Sequence, residues 1–156
     1  MRVLHVIPYL GRNQGGPVLS LAGYAQGLVQ HGVQVDVLHG QHPQDGEPVQ
    51  LPPDVSVLAV PLWPCLGLRW APALTGRHAS AVAACDLVHL HGLWTDLHRR
   101  AALLARQYRK PLVVSLCGML QPRALRYRGL KKRLVWWWFQ RDILTQAAGI
   151  HAKSIQ

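Results

Sequence analysis

The run MRVLHVIPYLGRNQGGPVLSLAGYAQGLVQH, Met1 to His31, decides the fold. Val3, Leu4, Val6 and Ile7 form a brief apolar run, too short for a helix and too continuous for a half-exposed edge, and so predict a buried strand. Tyr9 to Gly16 predicts a loop. Beyond it Val18, Leu21, Ala22, Ala25, Leu28 and Val29 recur at spacings of three and four, the stripe with which a helix packs onto a sheet. Pro17 fits the first helical turn, where its missing N–H is no loss.

Gly15 and Gly16 give this bend its chemical interest. Without a Cβ they let a ligand approach the backbone, where free amides and the positive end of the helix dipole would face it, so the bend is a candidate anion site. The loop lacks the Lys-Ser/Thr ending of a phosphate-clamping loop, and Gly11 and Gly16 are too far apart for Gly-x-Gly-x-x-Gly. A flexible turn ahead of a helix is the alternative that these residues leave open.

At 156 residues the chain is long enough for one α/β domain with its own core. Lys and Arg number 17 against 7 Asp and Glu, a net charge of +10, which fits an anionic partner such as a nucleotide, a phospholipid surface or nucleic acid without choosing among them. Cys65, Cys85 and Cys117 are an odd set without metal-ligand spacing and read as free thiols of a reducing compartment. No stretch approaches the roughly 20 apolar residues of a membrane span, and the start enters the first strand directly instead of forming a signal peptide. A cytoplasmic location is expected, with room for peripheral contact on the inner face of the membrane.

Gly32 ends the first helix. Val33 to Leu38 predicts a second strand in which Val33, Val35 and Val37 alternate against Gln34 and Asp36. His39 to Pro53 reads as a loop and Val55 to Val60 as a third strand, while the proline- and tryptophan-rich Pro61 to Pro72 reads as a surface loop or lid. A short helix over Leu74 to Ala84, a strand over Asp86 to Leu90, a helix over Thr95 to Tyr108 and a strand over Leu112 to Leu116 follow, with a sixth strand starting at Ile150. Strands alternating with helices imply right-handed crossovers and a mainly parallel sheet, an α/β, Rossmann-like fold. No internal repeat or composition break divides it.

Ligands of such sheets bind beyond the carboxyl ends of the strands, a rim that here collects Tyr9 to Gly16, His89 to Trp94 and Ser115 to Met119. His89 and His91 lie two apart on a strand, hence on one face, a spacing that can bind metal. The rim offers no third ligand, so a hydrogen-bonding role toward an acceptor is preferred and no metal is expected.

Pro122 to Ala148 predicts one long helix or a broken pair, setting Arg123, Arg126, Arg128, Lys131, Lys132, Arg133 and Arg141 beside Trp136, Trp137, Trp138 and Phe139. Four successive residues at about 100° each span some 300° of a helix, so these aromatics cannot all enter one core. A membrane interface or a second domain is expected to cover part of Lys131, Lys132, Arg133, Trp136, Trp137 and Trp138. The plain alternative is one exposed tryptophan beside an ordinary core face. No nucleic-acid recognition motif accompanies the basic residues, and no nucleic-acid partner is expected.

Four landmarks in order, GGPVLSLAGYAQGLVQHGVQVDVL (Gly15 to Leu38), DLVHLHGLW (Asp86 to Trp94), KPLVVSLCGMLQPRAL (Lys110 to Leu125) and LKKRL…ILTQAAGIHAKS (Leu130 to Ser154), resemble the N-terminal domain of the family 4 retaining glycosyltransferases of GT-B fold. The resemblance covers essentially the whole chain. It implies two Rossmann-like domains facing a cleft, of which this sequence supplies the acceptor side. A C-terminal domain, with a pair of glutamates and most of the nucleotide-sugar contacts, is expected outside these 156 residues, in the same or a separate chain.

The resemblance further implies that Gly15 and Gly16 approach the donor diphosphate, and that His89, His91, Trp94, Ser115 and Gly118 serve a sugar or lipid-linked acceptor of polysaccharide biosynthesis. No cofactor is expected. The family usually carries histidine where Cys117 stands, and a thiol cannot replace imidazole contacts to a sugar hydroxyl. Cys117 is not expected to be a nucleophile, since no base pairs with it in the sequence. Three functions stay open: the acceptor half of a hexosyltransferase-type enzyme, inactive until completed by a donor domain; a non-catalytic nucleotide- or glycolipid-binding module peripheral to the membrane; and a nucleotide-binding protein of unrelated chemistry. The face left for a partner domain would be apolar and wet, which predicts self-association of the chain by itself.

Overall fold

The computed structural model describes residues 1–42, 44–65 and 68–152. Strand β1, Arg2–Ile7, is buried on both faces from Val3 onward, as its continuous apolar run requires. Helix α1, Gly16–Gln30, carries the chain to β2, Gln34–Gln41, and β3, Ser56–Pro61, lies next to it. After a small hairpin, β4 (Trp63–Cys65) and β5 (Leu68–Trp70), helix α2 (Arg77–Ala84) leads to β6 (Leu87–His91) and α3 (Asp96–Gln107) to β7 (Leu112–Ser115). Helices α4 (Pro122–Arg126), α5 (Gly129–Val135) and α6 (Arg141–Gln146) precede β8, Gly149–His151.

The described residues form a six-stranded sheet of order β3-β2-β1-β6-β7-β8 in which every pair is parallel. Helices flank both faces, the α/β Rossmann-like arrangement expected. One face packs Leu4, Val6, Leu38, Val88, Leu90 and Val114 against Val82, Leu97, Ala101, Phe139 and Ile143 of the later helices. The other packs Ile7, Val35 and Val37 under Val18, Leu21 and Ala25 of α1. Leu4, Leu90 and Leu97 are almost wholly withdrawn from water, each stabilising the fold by about 1.5–3 kcal/mol relative to an exposed side chain.

Three segments depart from the sequence expectations. β2 is buried on both faces and does not alternate: Asp36 is 1% exposed and accepts from Arg2 Nε at 2.5 Å. That hydrogen bond raises the Arg2 pKa. Pro61 to Pro72 contains the antiparallel β4–β5 hairpin, with Trp63 opposite Trp70; Leu66 and Gly67 lie outside the described residues. His39 to Gln41 extends β2 instead of starting a loop. Pro122 to Ala148 takes the broken-pair form: it breaks at Tyr127 and at Arg128, whose φ of 53° is left-handed, and α5 then runs into α6 through a π-helical turn, Trp136–Gln140.

The turn confirms the arc argument. Of its four aromatics only Phe139 is buried, whereas Trp137 is 71% and Trp138 52% exposed. Cys85 is a free thiol and Cys117 is in no disulfide among the described residues, and the side chain of Cys65 lies outside the described residues, as do residues 153–156 of the closing landmark. No described helix is long and apolar enough to cross a membrane.

His98 of α3 is buried, and burial pushes its pKa down to about 4, opposed in part by the Val6 carbonyl. The folded protein therefore excludes a proton that the unfolded chain takes up below about pH 6.5. Stability should be full above that pH and fall toward pH 4 by about 1.4 kcal/mol per pH unit from this side chain. Urea unfolding at pH 5, 6 and 7 should show the slope, and His98→Leu should remove this side chain's share of it while that of His5 remains.

Candidate functional site

The sheet order reverses at β1, which pairs with β2 on one side and β6 on the other. The chain leaves β1 and β6 for opposite faces, so the two loops beyond these strands part and leave a crevice. The loop after β1 is held at its base: Arg12 N–H donates to Glu47 O and Val49 N–H to Leu10 O, both at 2.9 Å. Its glycine bend is not held. No side chain caps the start of α1, Gly15 has φ +81°, and a Cβ built on either Gly15 or Gly16 would meet no atom within 4 Å. The bend therefore keeps the open approach that an anion at a helix start requires.

The loop after β6 is tightly built. Gly92 at φ +104° lies so close to Met119 that a Cβ would stand 3.1 Å from its methyl carbon. Trp94, also at positive φ, donates its backbone N–H to Gln140 Oε1 at 2.8 Å, tying the rim to the π-helical turn. Thr95 caps α3 by accepting from His98 N–H. Asp96 is 6% exposed and accepts from Arg99 Nε at 2.7 Å and from the Ala71 amide at 3.2 Å, joining the base of the hairpin to α3. Its lone pairs are committed to structure, which makes it a poor base.

Between these parts lies a cavity of about 620 Å³, within the usual range for a small-molecule site. Pro8, Tyr9 and Gln14 of the first loop form one wall; Arg69 and Trp70 of the hairpin, Trp94 to Asp96, Tyr127, Arg128, Trp138 and Phe139 complete it. Trp70 and Trp138 have ring centroids 5.6 Å apart, and the Arg99 guanidinium lies 5.0 Å over Trp138. The indole Nε1–H of Trp94 is buried without a partner among the described residues. Burial raises the Tyr9 pKa, and Cys117 nearby adds to the effect. A smaller cleft of about 410 Å³ between α3 and α6 is basic, with Arg99, Arg106, Arg109 and Lys110 on its walls.

Among the residues singled out from the sequence, Trp94 and Trp138 line the rim cavity, and Gly15 and Gly16 adjoin its Gln14 wall. Gly118 lies in the turn after β7 at φ +71°, next to Cys117 at φ +50°. His89, His91 and Ser115 belong to a polar layer on the α1 face of the sheet. There His89 Nε2 meets Ser115 Oγ at 2.8 Å, Ser115 Oγ meets His151 Nδ1 at 2.9 Å, and His151 Nε2 meets Tyr24 Oη of α1 at 3.1 Å. His5 joins the layer through Nδ1, 2.8 Å from His91 Nε2. Burial, then the neighbouring His89, push the His5 pKa down to about 3, so the ring is neutral at physiological pH.

The sequence reading missed His5 and Trp70. His5 sits in an apolar run and gains its meaning only from the β1–β6 register, which sets it beside His89. Trp70 depends on the hairpin. Lys131, Lys132, Arg133 and Trp136 to Trp138 lie on α5 and the π-helical turn, where Lys132 stands over Trp94 at 5.8 Å and Arg141 over Trp137 at 5.6 Å. Against known proteins, a family model described as a glycosyl transferase 4-like domain matches residues 15–155. No curated protein matches the chain.

Proposed function

The chain belongs to the glycosyl transferase 4-like family, and from that premise we propose that it forms the acceptor-side wall of a glycosyltransferase that moves a sugar from a nucleotide-sugar donor to a lipid-linked or polysaccharide acceptor. The supporting observation is the rim cavity, whose aromatic walls adjoin an uncapped, open glycine bend. The donor diphosphate lies against the Gly15 and Gly16 amides and the positive end of α1. The acceptor sugar packs its apolar face on Trp70, Trp94 and Trp138. Positioning donor and acceptor in one geometry is the wall's contribution to rate. The opposing wall, which carries the other donor contacts and excludes water, is a second domain.

The acceptor role thus falls to the aromatic cavity, while His89, His91 and Ser115 belong to the polar layer on the α1 face of the sheet. Cys117 favours a second reading, a non-catalytic binding module, because a thiol at the position where the resembled family carries histidine leaves a sugar hydroxyl without its imidazole partner. Sugar transfer by the chain joined with a family donor domain separates the two. Transfer supports the enzyme, and binding without transfer supports the module.

Contact with a membrane is part of the same proposal. Leu130, Leu134 and Trp137, at helical spacing on α5 and the following turn, are 78%, 72% and 71% exposed. An apolar stripe this bare beside Lys131, Arg133 and Arg141 suits the surface of an anionic bilayer, where a lipid-linked acceptor resides.

Two measurements follow. Gly16→Leu adds its side chain into open space at a helix start, so folding should be unchanged while calorimetric affinity for nucleoside-diphosphate sugars drops at least tenfold; equal affinity would place the diphosphate elsewhere. The triple variant Leu130→Ser, Leu134→Ser, Trp137→Ser should lose at least tenfold of its co-sedimentation with phosphatidylglycerol vesicles, and unchanged binding would remove the membrane contact.

A further inference from the structure

A third imidazole completes a set that the sequence shows only as a pair. His5 of β1 is the parallel-register partner of His89 of β6, and His91 lies two residues on, so all three side chains rise from the α1 face of two central strands. Their ring centroids are 5.2, 5.0 and 4.2 Å apart, and one potential ligand atom from each falls within 4.8 Å of the other two. His5 and His91 are each 1% exposed. His5 Nε2 is buried with no hydrogen-bond partner among the described residues, a polar atom whose desolvation calls for compensation. Half-buried His89 keeps a route to solvent.

We propose that His5, His89 and His91 form a binding site for one divalent transition-metal ion of the zinc type. Three imidazoles select this class: they suit Zn²⁺, Co²⁺, Ni²⁺ and Cu²⁺, whereas Mg²⁺ and Ca²⁺ need oxygen ligands. Tetrahedral Zn–N bonds of about 2.0–2.1 Å put ligand nitrogens some 3.3–3.4 Å apart. His5 Nδ1 and His91 Nε2 now face each other at 2.8 Å, so small side-chain rotations suffice to admit the ion in place of their hydrogen bond.

Ser115 supplies the outer contact that metal sites use to orient a ligand. Its Oγ holds His89 Nε2 at 2.8 Å and is itself fixed by His151 Nδ1 at 2.9 Å, which sets the orientation of the His89 ring. The three histidines leave a fourth position for water. The bound ion would clamp β1 to β6 directly beneath the crevice of the rim, stabilising the folded state in proportion to its concentration over Kd. This inference stands on the histidine geometry alone, and sugar binding can fail without affecting it.

The test uses the whole chain, first treated with chelator, titrated with Zn²⁺ by calorimetry and with Co²⁺ by visible absorption. One ion per chain should bind, with tetrahedral Co²⁺ bands and a raised thermal midpoint. His5→Gln and His89→Gln should each weaken binding at least a hundredfold with the circular dichroism spectrum unchanged. Ser115→Ala should weaken it about tenfold, and the exposed control His31→Gln should not change it. The same affinity in His89→Gln as in the parent chain, or loss of binding in His31→Gln, would overturn the site. So would the absence of a one-to-one complex in the folded parent.

Discussion

The pairing of β1 with a parallel strand on each side is the constraint on which the rest depends. Buried backbone amides and carbonyls must find partners, and β1 finds them in β2 and β6, whose connections run over opposite faces. Every strand then delivers its carboxyl end to one rim, and the chain parts there above β1. The open bend at Gly15 and Gly16, the turn at Trp94 and the start of α3 stand together because of that hydrogen-bond pattern. Their chemistry follows from their placement: an uncapped helix start offers amides, and the neighbouring loop offers aromatic rings.

The same pairing explains why the two faces of the sheet differ. Toward α2, α3 and α6 the strands present leucine and valine, and the core is dry. Toward α1, beside Ile7, Val35 and Val37, they present His5 paired with His91, and His89 joined through Ser115 and His151 to Tyr24. The hydrogen bonds of this polar layer confer geometric definition at a cost in hydrophobic burial. It also brings nitrogens of three imidazoles within 4.8 Å of one another.

How much of this was legible in the sequence depended on the range of the interaction that fixes each residue. Val3 to Ile7, Pro17 and the stripe from Val18 to Val29 act through near neighbours, and strand and helix formed where they pointed. The arc formed by Trp136 to Phe139 is likewise local, and its exposed members followed from helix geometry. Asp36 was misread because its ion pair with Arg2 crosses from β2 to β1, which lets a carboxylate sit in the buried sheet. The β4–β5 hairpin was hidden by prolines and by the brevity of its strands. Trp70 reached the cavity, and His5 reached the histidine layer, only through register and packing that no local pattern carries.

The central claim is that the diphosphate of a sugar donor meets the backbone at the glycine bend while the acceptor occupies the aromatic cavity beside it. A crystal structure of the chain with a nucleoside-diphosphate sugar tests this most directly. The account predicts diphosphate density within hydrogen-bonding distance of the Gly15 and Gly16 amides, with the sugar directed toward Trp94. Density in the basic cleft between α3 and α6, with the glycine bend empty, would contradict it.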